Sequence, residues 1–508
     1  MNGFLQRLAQ LHLYLGLGLA LLLWLIIFAG SVSFYRAELD TLQLQTRAGL
    51  SLPARLPEAP QSTALALRHL QQNAATAQHW YIELPEQRSP YLKLHWQLAP
   101  ESEQQGSKQR AIRQGALIQQ YLHPHTGEPL LEPRPLRFGA TEHQLGGWFF
   151  QLHFNLLQLA GQHSRSLVAF AALIWLLLTI SGLLSLKGQW RTLFRPLQPV
   201  PAVCAKGQQL SSTEQKKHLQ NHQRAIARRR HQQLALFTLP FALLFALSGW
   251  LTQMFSENSA PQQLLYPQNP YQFYTELFPL AQPAAETAVA EAGSGSGAAP
   301  APDLAPMLLA AAQAFDGNAV GKISITAPGR PQSTVLLSSS AASRVGNQPQ
   351  TLLFALADNR QWQPFPAAIA SASSSAITKV EQAGDKPLAQ LRQLGYGLHQ
   401  SLYAGEILRL VLLSFGLVSC WMIWLGIKAA LTRLKPGRWQ QLLAVLVPAL
   451  AGATVLASLL LILQSWLLIL PWSLSQLFVF NWLLCCGLWL LFSGWRGFAV
   501  APQALKAE

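Results

Sequence analysis

Four histidines stand ahead of long apolar runs, and their spacing to later glycines repeats. His12 opens the first run, with Gly30 eighteen residues on. His231 opens a later run, with Gly249 again eighteen residues on. His153 and His399 precede two other runs; Arg165 and Arg409 stand closer, and Gly182 and Gly426 follow those arginines by seventeen residues each. Imidazoles at helix ends in a bundle are one way a protein holds haem iron. The repetition predicts a two-helix unit used twice, placing imidazoles at both faces of a membrane. No Cys-x-x-Cys-His occurs, so a covalent c-type haem is excluded and any haem is b-type.

One histidine at a helix end also serves as a cap or dipole partner; it is the pairing that favours a ligand role. His12 and His231 are expected to converge at one face and His153 and His399 at the other, giving two haems with both axial positions filled. On a straight helix, His153 would stand ~21 Å above the start of its span, and His399 ~12 Å. Either the second span's helix projects outward, or Gly161 bends it, or His163 replaces His153 as ligand. Arg165 and Arg409 are either snorkelling residues or partners of haem propionates. His123 and His125 lack a neighbouring acid or cysteine cluster and make a weak metal site. No catalytic residue can be named.

These side chains must be positioned by apolar helices. The chain has 508 residues, 50% hydrophobic and only 12% charged, about half the charged share of an ordinary soluble protein. Six runs, near 13–35, 166–187, 233–255, 406–428, 440–463 and 472–495, are long enough to span a bilayer. The first is too long for a signal-peptide core and is read as a retained span. Lysines and arginines crowd 187–230 and 428–438, so both stretches and both termini are expected in the cytoplasm. The net charge of +15 then reflects topology and lipid contact, not nucleic acid.

The expected division is span one at 1–35, a first α+β segment at 36–165, span two at 166–187 and a basic loop at 188–232. Span three at 233–255 is followed by a second α+β segment at 256–405 with a flexible linker at 283–303. Span four at 406–428 precedes a loop, two further spans and a short tail in 429–508. In the first α+β segment, 62–70 reads as helix, and 79–84, 91–96 and 116–121 alternate as strands. The second repeats the order, with helix from 304 and strands near 320–326, 333–338 and 351–357. Neither segment contains cysteine, so no disulfide framework exists.

The layout resembles the PepSY-associated transmembrane helix family. The resemblance is carried by Leu11-His12, Leu152-His153, Gly395-Tyr396-Gly397-Leu398-His399, and the strand-turn Tyr121-Leu122-His123-Pro124-His125-Thr126-Gly127-Glu128. In that turn His123 stands where Asp is usual, and the second copy, Ala357-Asp358-Asn359-Arg360, lacks the Thr-Gly-Glu. The resemblance covers about 1–430, leaving the last two spans as an appendage.

It implies a polytopic α-helical protein of the bacterial inner membrane: a duplicated four-helix core, two extra C-terminal spans and two small periplasmic PepSY-like α+β domains. It implies an oxidoreductase that uses b-type haem to reduce ferric siderophores, with a separate cytoplasmic or quinol electron donor. Fe(III) suits the hard oxygen ligands of such chelators better than Fe(II) does, so one electron loosens the metal. The alternative is a membrane-anchored PepSY binding or regulatory module without redox activity. A metal transporter is a third reading, opposed by the scarcity of acids in the spans. No phosphate-binding loop or dinucleotide fingerprint is present.

Overall fold

The six apolar runs become five uninterrupted helices and one broken one in the computed structural model. It describes residues 3–49, 51–53, 55–98, 117–135, 144–186, 212–257, 303–330, 333–340, 345, 350–356, 362–364, 387–431, 438–467 and 472–500. The linker expected at 283–303 lies outside the described residues except for its last position, as do the basic residues of 187–211. The helices are α1 (Gly3–Ser33), α2 (Arg36–Ala48), α3 (Ala59–Asn73), α4 (Leu145–Asn155), α5 (Ser164–Ser185), α6 (Ser212–Phe237), α7 (Leu239–Glu257), α8 (Leu304–Ala314), α9 (Pro387–Gln400), α10 (Glu406–Leu431), α11 (Arg438–Leu467) and α12 (Leu474–Val500). The chain divides into two compact units: Met1–Arg36, Glu142–Glu257 and Gly405–Glu508 form one, Ala37–Thr141 and Asn258–Ala404 the other.

In the first unit, five helices are long and apolar enough to cross a membrane, six if a bent pair counts as one span. The bent pair replaces the straight third span expected at 233–255. Its halves, Asn221–Phe237 and Leu239–Gln253, meet at 67°. Pro240 explains the break, because it has no N–H for the Leu236 carbonyl and its ring crowds that turn. Before the break, the basic stretch expected as loop is helix from Ser212. It has no Gly or Pro and is rich in Arg, Lys, Gln and Ala, all good helix formers.

A second break separates α4 from α5. Leu156, Leu157 and Gln158 take left-handed φ of 51°, 53° and 59°, and Gly161 takes 56°. Three non-glycine residues in that region carry strain that only surrounding packing sustains; Leu156 is buried against Leu23, Ile26 and Val168. His153 therefore rides on its own helix, packed on α1, and not on an outward extension of α5.

The last two spans pair with each other. Asn481 Nδ2 donates to Gln464 Oε1 at 2.8 Å, and Gln464 Nε2 donates back to Asn481 Oδ1 at 3.2 Å. Trp482 Nε1 donates to Thr454 Oγ1 at 3.1 Å. The pair docks on the core through Val447, packed with Ala20, Ile427 and Leu431. Trp148 of α4 fastens α12, donating to Ser475 Oγ at 3.0 Å beside Phe478.

The second unit differs from the two separate domains the sequence predicts. Strands β1 (His79–Glu83), β2 (Leu92–Gln97), β3 (Leu117–Leu122) and β4 (Arg134–Pro135) come from the first segment. Strands β5 (Val320–Thr326), β6 (Thr334–Ser339), β7 (Thr351–Leu356) and β8 (Trp362–Pro364) come from the second. They form one antiparallel sheet in the order β4-β3-β2-β1-β5-β6-β7-β8. At its centre β1 pairs β5 in the register Trp80 to Ile325 and Ile82 to Ile323. Alternation sends Trp80, Ile82, Leu94, Ile323, Val335 and Phe354 to one face. There a single core takes in Leu70 of α3 and Met307 of α8.

A half-sheet alone has an open edge at β1 or β5, which is a template for pairing; joining the copies closes both edges. At the far turn, His123 does the work of the usual Asp. Its Nδ1 accepts from Thr126 N at 3.3 Å, and Gly127 takes a φ of 73°.

Candidate functional site: a paired-imidazole cavity

His12 and His231 meet. Their ring centroids are 6.4 Å apart, with planes at 73°, although 219 positions separate them in sequence. They line a cavity of about 250 Å³ between α1, α5, the α6–α7 pair and α10. Most of its other walls are apolar or small, among them Gly16, Ala20, Trp175, Gly182 and Gly426, with Arg228 and Gln232 the exceptions in size and polarity.

The hydrogen bonds fix which ring nitrogen carries the proton. His231 Nδ1 lies 2.7 Å from Met422 O, and a carbonyl can only accept, so Nδ1–H is the donor. His12 Nδ1 lies 2.9 Å from Ser181 Oγ, whose own proton goes to Leu178 O at 3.0 Å. Ser181 must therefore accept from His12. In both neutral imidazoles the Nε2 lone pair is left for a ligand. A second partner of this kind on Nδ1 orients metal-binding histidines generally.

Each ring lies on a glycine of a neighbouring helix. A Cβ at Gly426 would stand 2.9 Å from His231 Cε1, and one at Gly182 would stand 3.3 Å from His12 Cε1. His153 repeats the arrangement on α1: a Cβ at Gly30 would stand 2.7 Å from its Nδ1, which donates to Ile26 O at 2.9 Å. In all three cases the carbonyl that finally accepts belongs to the residue four before the glycine: Leu178, Met422 and Ile26. Removing the side chain at position i opens the helix surface over the carbonyl of i−4, and the imidazole settles there.

The geometry fits two imidazoles on one metal. With metal–nitrogen bonds of about 2.0 Å and ring centres roughly 1.1 Å beyond, two imidazoles sharing one metal would have centroids up to about 6.2 Å apart. An edge-to-face aromatic contact spans similar distances. The opposed feature is the proton placement, which turns both Nδ1 atoms to the helix walls. No cluster of three or more His, Cys, Asp or Glu occurs among the described residues, so a bare ion would lack a full ligand set, whereas a metal carried in a planar macrocycle needs only two axial ligands.

The other expected residues are placed as follows. His163 is exposed on a short turn, Gly161–His163, and has no such glycine cradle. Arg165 is exposed, with its guanidinium 4.9 Å from the Phe154 ring centre, next to His153. Arg409 is 4% exposed and lies 5.6 Å from the Tyr35 ring centre. Both arginines thus lie at the Gly30–His153 end of the first unit, away from the His12–His231 cavity. His399 lies in α9 of the second unit. His123 and His125 have centroids 6.2 Å apart, but His125 Nε2 is held by Arg55 O at 2.9 Å.

Sequence reasoning missed Ser181, Met422 and Arg228. The first two act through an oxygen whose direction only packing sets. Arg228 was legible in principle, since it stands three residues before His231 and shares its helix face once 212–237 is helix. A search of curated proteins finds no significant match. The family model for the PepSY-associated TM region matches residues 9–433. The chain therefore belongs to that family, and the matched stretch contains every residue of the paired-imidazole cavity.

Proposed function

We propose that this membrane protein is an oxidoreductase that uses b-type haem to move single electrons across the bilayer to a ferric chelate, a siderophore. The observation that carries the reading is the His12–His231 pair, opposed at 6.4 Å with both Nδ1 protons committed to the helix walls. Bound there, haem supplies a one-electron Fe(III)/Fe(II) couple.

The chain's own residues do the rest. His12 and His231 would hold the iron from two different helices. Ser181 and the Met422 carbonyl keep each Nδ1 protonated, which orients Nε2 and raises its basicity. The apolar walls exclude water, so little polar rearrangement accompanies a change of charge. His153, held the same way, is the proposed ligand of a second haem, with Arg165 and Arg409 near its end.

His12 and Gly30 are ~27 Å apart along α1, so the two His–glycine layers lie near opposite leaflets. The basic residues of α6 favour the cytoplasmic side for the His12 layer under the positive-inside rule. The electron donor is a separate protein or quinol, and one electron converts chelated Fe(III) to the more weakly held Fe(II).

Absorption spectra of the purified protein, oxidised and then dithionite-reduced, test this. The expected result is a reducible low-spin Soret band that His12→Ala and His231→Ala each diminish, with the remainder lost in His153→Ala and tested for its partner by His399→Ala. A well-folded, haem-free protein that takes up no added haem would overturn the reading and favour the binding-module alternative.

A further inference from the structure

Among the described residues, one side chain with a permanent charge lines the cavity. Arg228 lines it together with His231, Gln232, Ala235, Leu239 and Ala242, the stripe that α6 and α7 present at helical spacing. No acid occurs among the described lining residues. Arg229 and Arg230, in the same basic run, do not line it, because successive helical residues turn about 100° apart.

An apolar cavity with two imidazoles inside and one guanidinium at its edge suits a planar apolar ligand that ends in carboxylates. Resting on the haem reading above, we infer that Arg228 anchors the carboxylate edge of the haem at the mouth of this cavity. Its Cα is ~4.5 Å along the helix from that of His231, and its long stem brings a two-pronged donor to the rim of a macrocycle centred on the imidazoles. Arginine matches a carboxylate with two parallel N–H···O bonds, which a lysine does not.

The neighbouring arginines are internal controls. Full-length protein, R228Q, R228K and R229Q would each be loaded with protohaem or with protohaem dimethyl ester, whose carboxylates are blocked. Haem loss to an excess of scavenger protein would then be timed. The expected result is about tenfold faster loss of protohaem from R228Q, an intermediate rate for R228K, an unchanged rate for R229Q, and no difference between variants with the dimethyl ester. Normal uptake of the ester by R228Q shows that the variant is folded. The inference is overturned if R228Q behaves like R229Q, as it would if the arginine met only lipid phosphate, or if it loses both porphyrins equally fast. Wild-type protein that binds neither porphyrin overturns the functional reading itself, and this inference with it.

Discussion

At the residue scale the recurring device is a histidine lying on a glycine, with its Nδ1 proton directed to the carbonyl four residues before that glycine, straight for His231 and His153 and through the Ser181 hydroxyl for His12. The three examples are graded by how much room remains. A methyl at Gly426 would stand 2.9 Å from His231, and one at Gly182 would stand 3.3 Å from His12. The first distance requires the ring to move, whereas the second can be absorbed by a shift of a few tenths of an ångström. Gly426→Ala is therefore expected to cut haem occupancy at least tenfold and to cost about 1–3 kcal/mol of stability, as overpacking does. Gly182→Ala is expected to bind haem with a shifted spectrum and little loss. Haem-to-protein ratios of the two purified variants check this; equal occupancy would show that the glycines are helix-packing positions and nothing more.

At the element scale, the helices deliver these residues by being interrupted. Pro240 lets α6 and α7 follow different directions, so that α6 presents His231 to Gly426 of α10 while α7 packs on α5. The left-handed turn at Leu156–Gln158 does the same for His153. The C-terminal hairpin is held by polar pairs inside apolar surroundings, where water offers no substitute. Asn481→Leu removes both bonds to Gln464 and leaves that half-buried amide without this partner. It is expected to destabilise the α11–α12 pair by about 1–2 kcal/mol, read as a lower denaturant midpoint in detergent. A Gln464→Leu/Asn481→Leu double variant is expected to recover part of the loss, because no amide is then stranded.

At the scale of the whole molecule, the two α+β segments are joined in one sheet through β1 and β5. Glu83 of the first segment lies 3.4 Å from Lys93 and 3.5 Å from Lys322 of the second segment. Burial works to raise the Glu83 pKa, but those lysines outweigh it and bring it to about 2. The neighbouring His95 is brought down to about 4, by burial first and then by Lys93; His79 is lowered by burial as well.

Both histidines are thus folded in the neutral form, and the unfolded chain takes up their protons first. Stability should fall as pH drops from about 6.5 towards 4. Glu83 contributes in full above its unfolded value, and that contribution is lost as pH falls on towards 2. His95→Gln is expected to shrink the upper step, leaving the share of His79, and to shrink the lower step slightly, because His95 adds to the two lysines in lowering the Glu83 pKa. Hydrogen exchange of peptides from 79–97 in the full-length protein, followed through thermal unfolding at each pH, measures both steps.

The sequence by itself determined the six apolar runs, both α+β segments with three of the four strands in each, the family and all four ligand candidates. Hydropathy, two-residue alternation and repeated spacing are local signals that survive without coordinates. Even the eighteen-residue interval from His12 to Gly30 was legible, though not its meaning: one end of α1 gives an imidazole and the other receives one. Only the tertiary structure decided that the glycines are seats for rings, that the basic run is helix with Arg228 on the cavity, that His153 sits on a separate helix, and that the paired segments share one sheet. Each of these depends on which surfaces from distant parts of the chain come into contact, and steric fit, hydrogen-bond direction and edge pairing are settled only there.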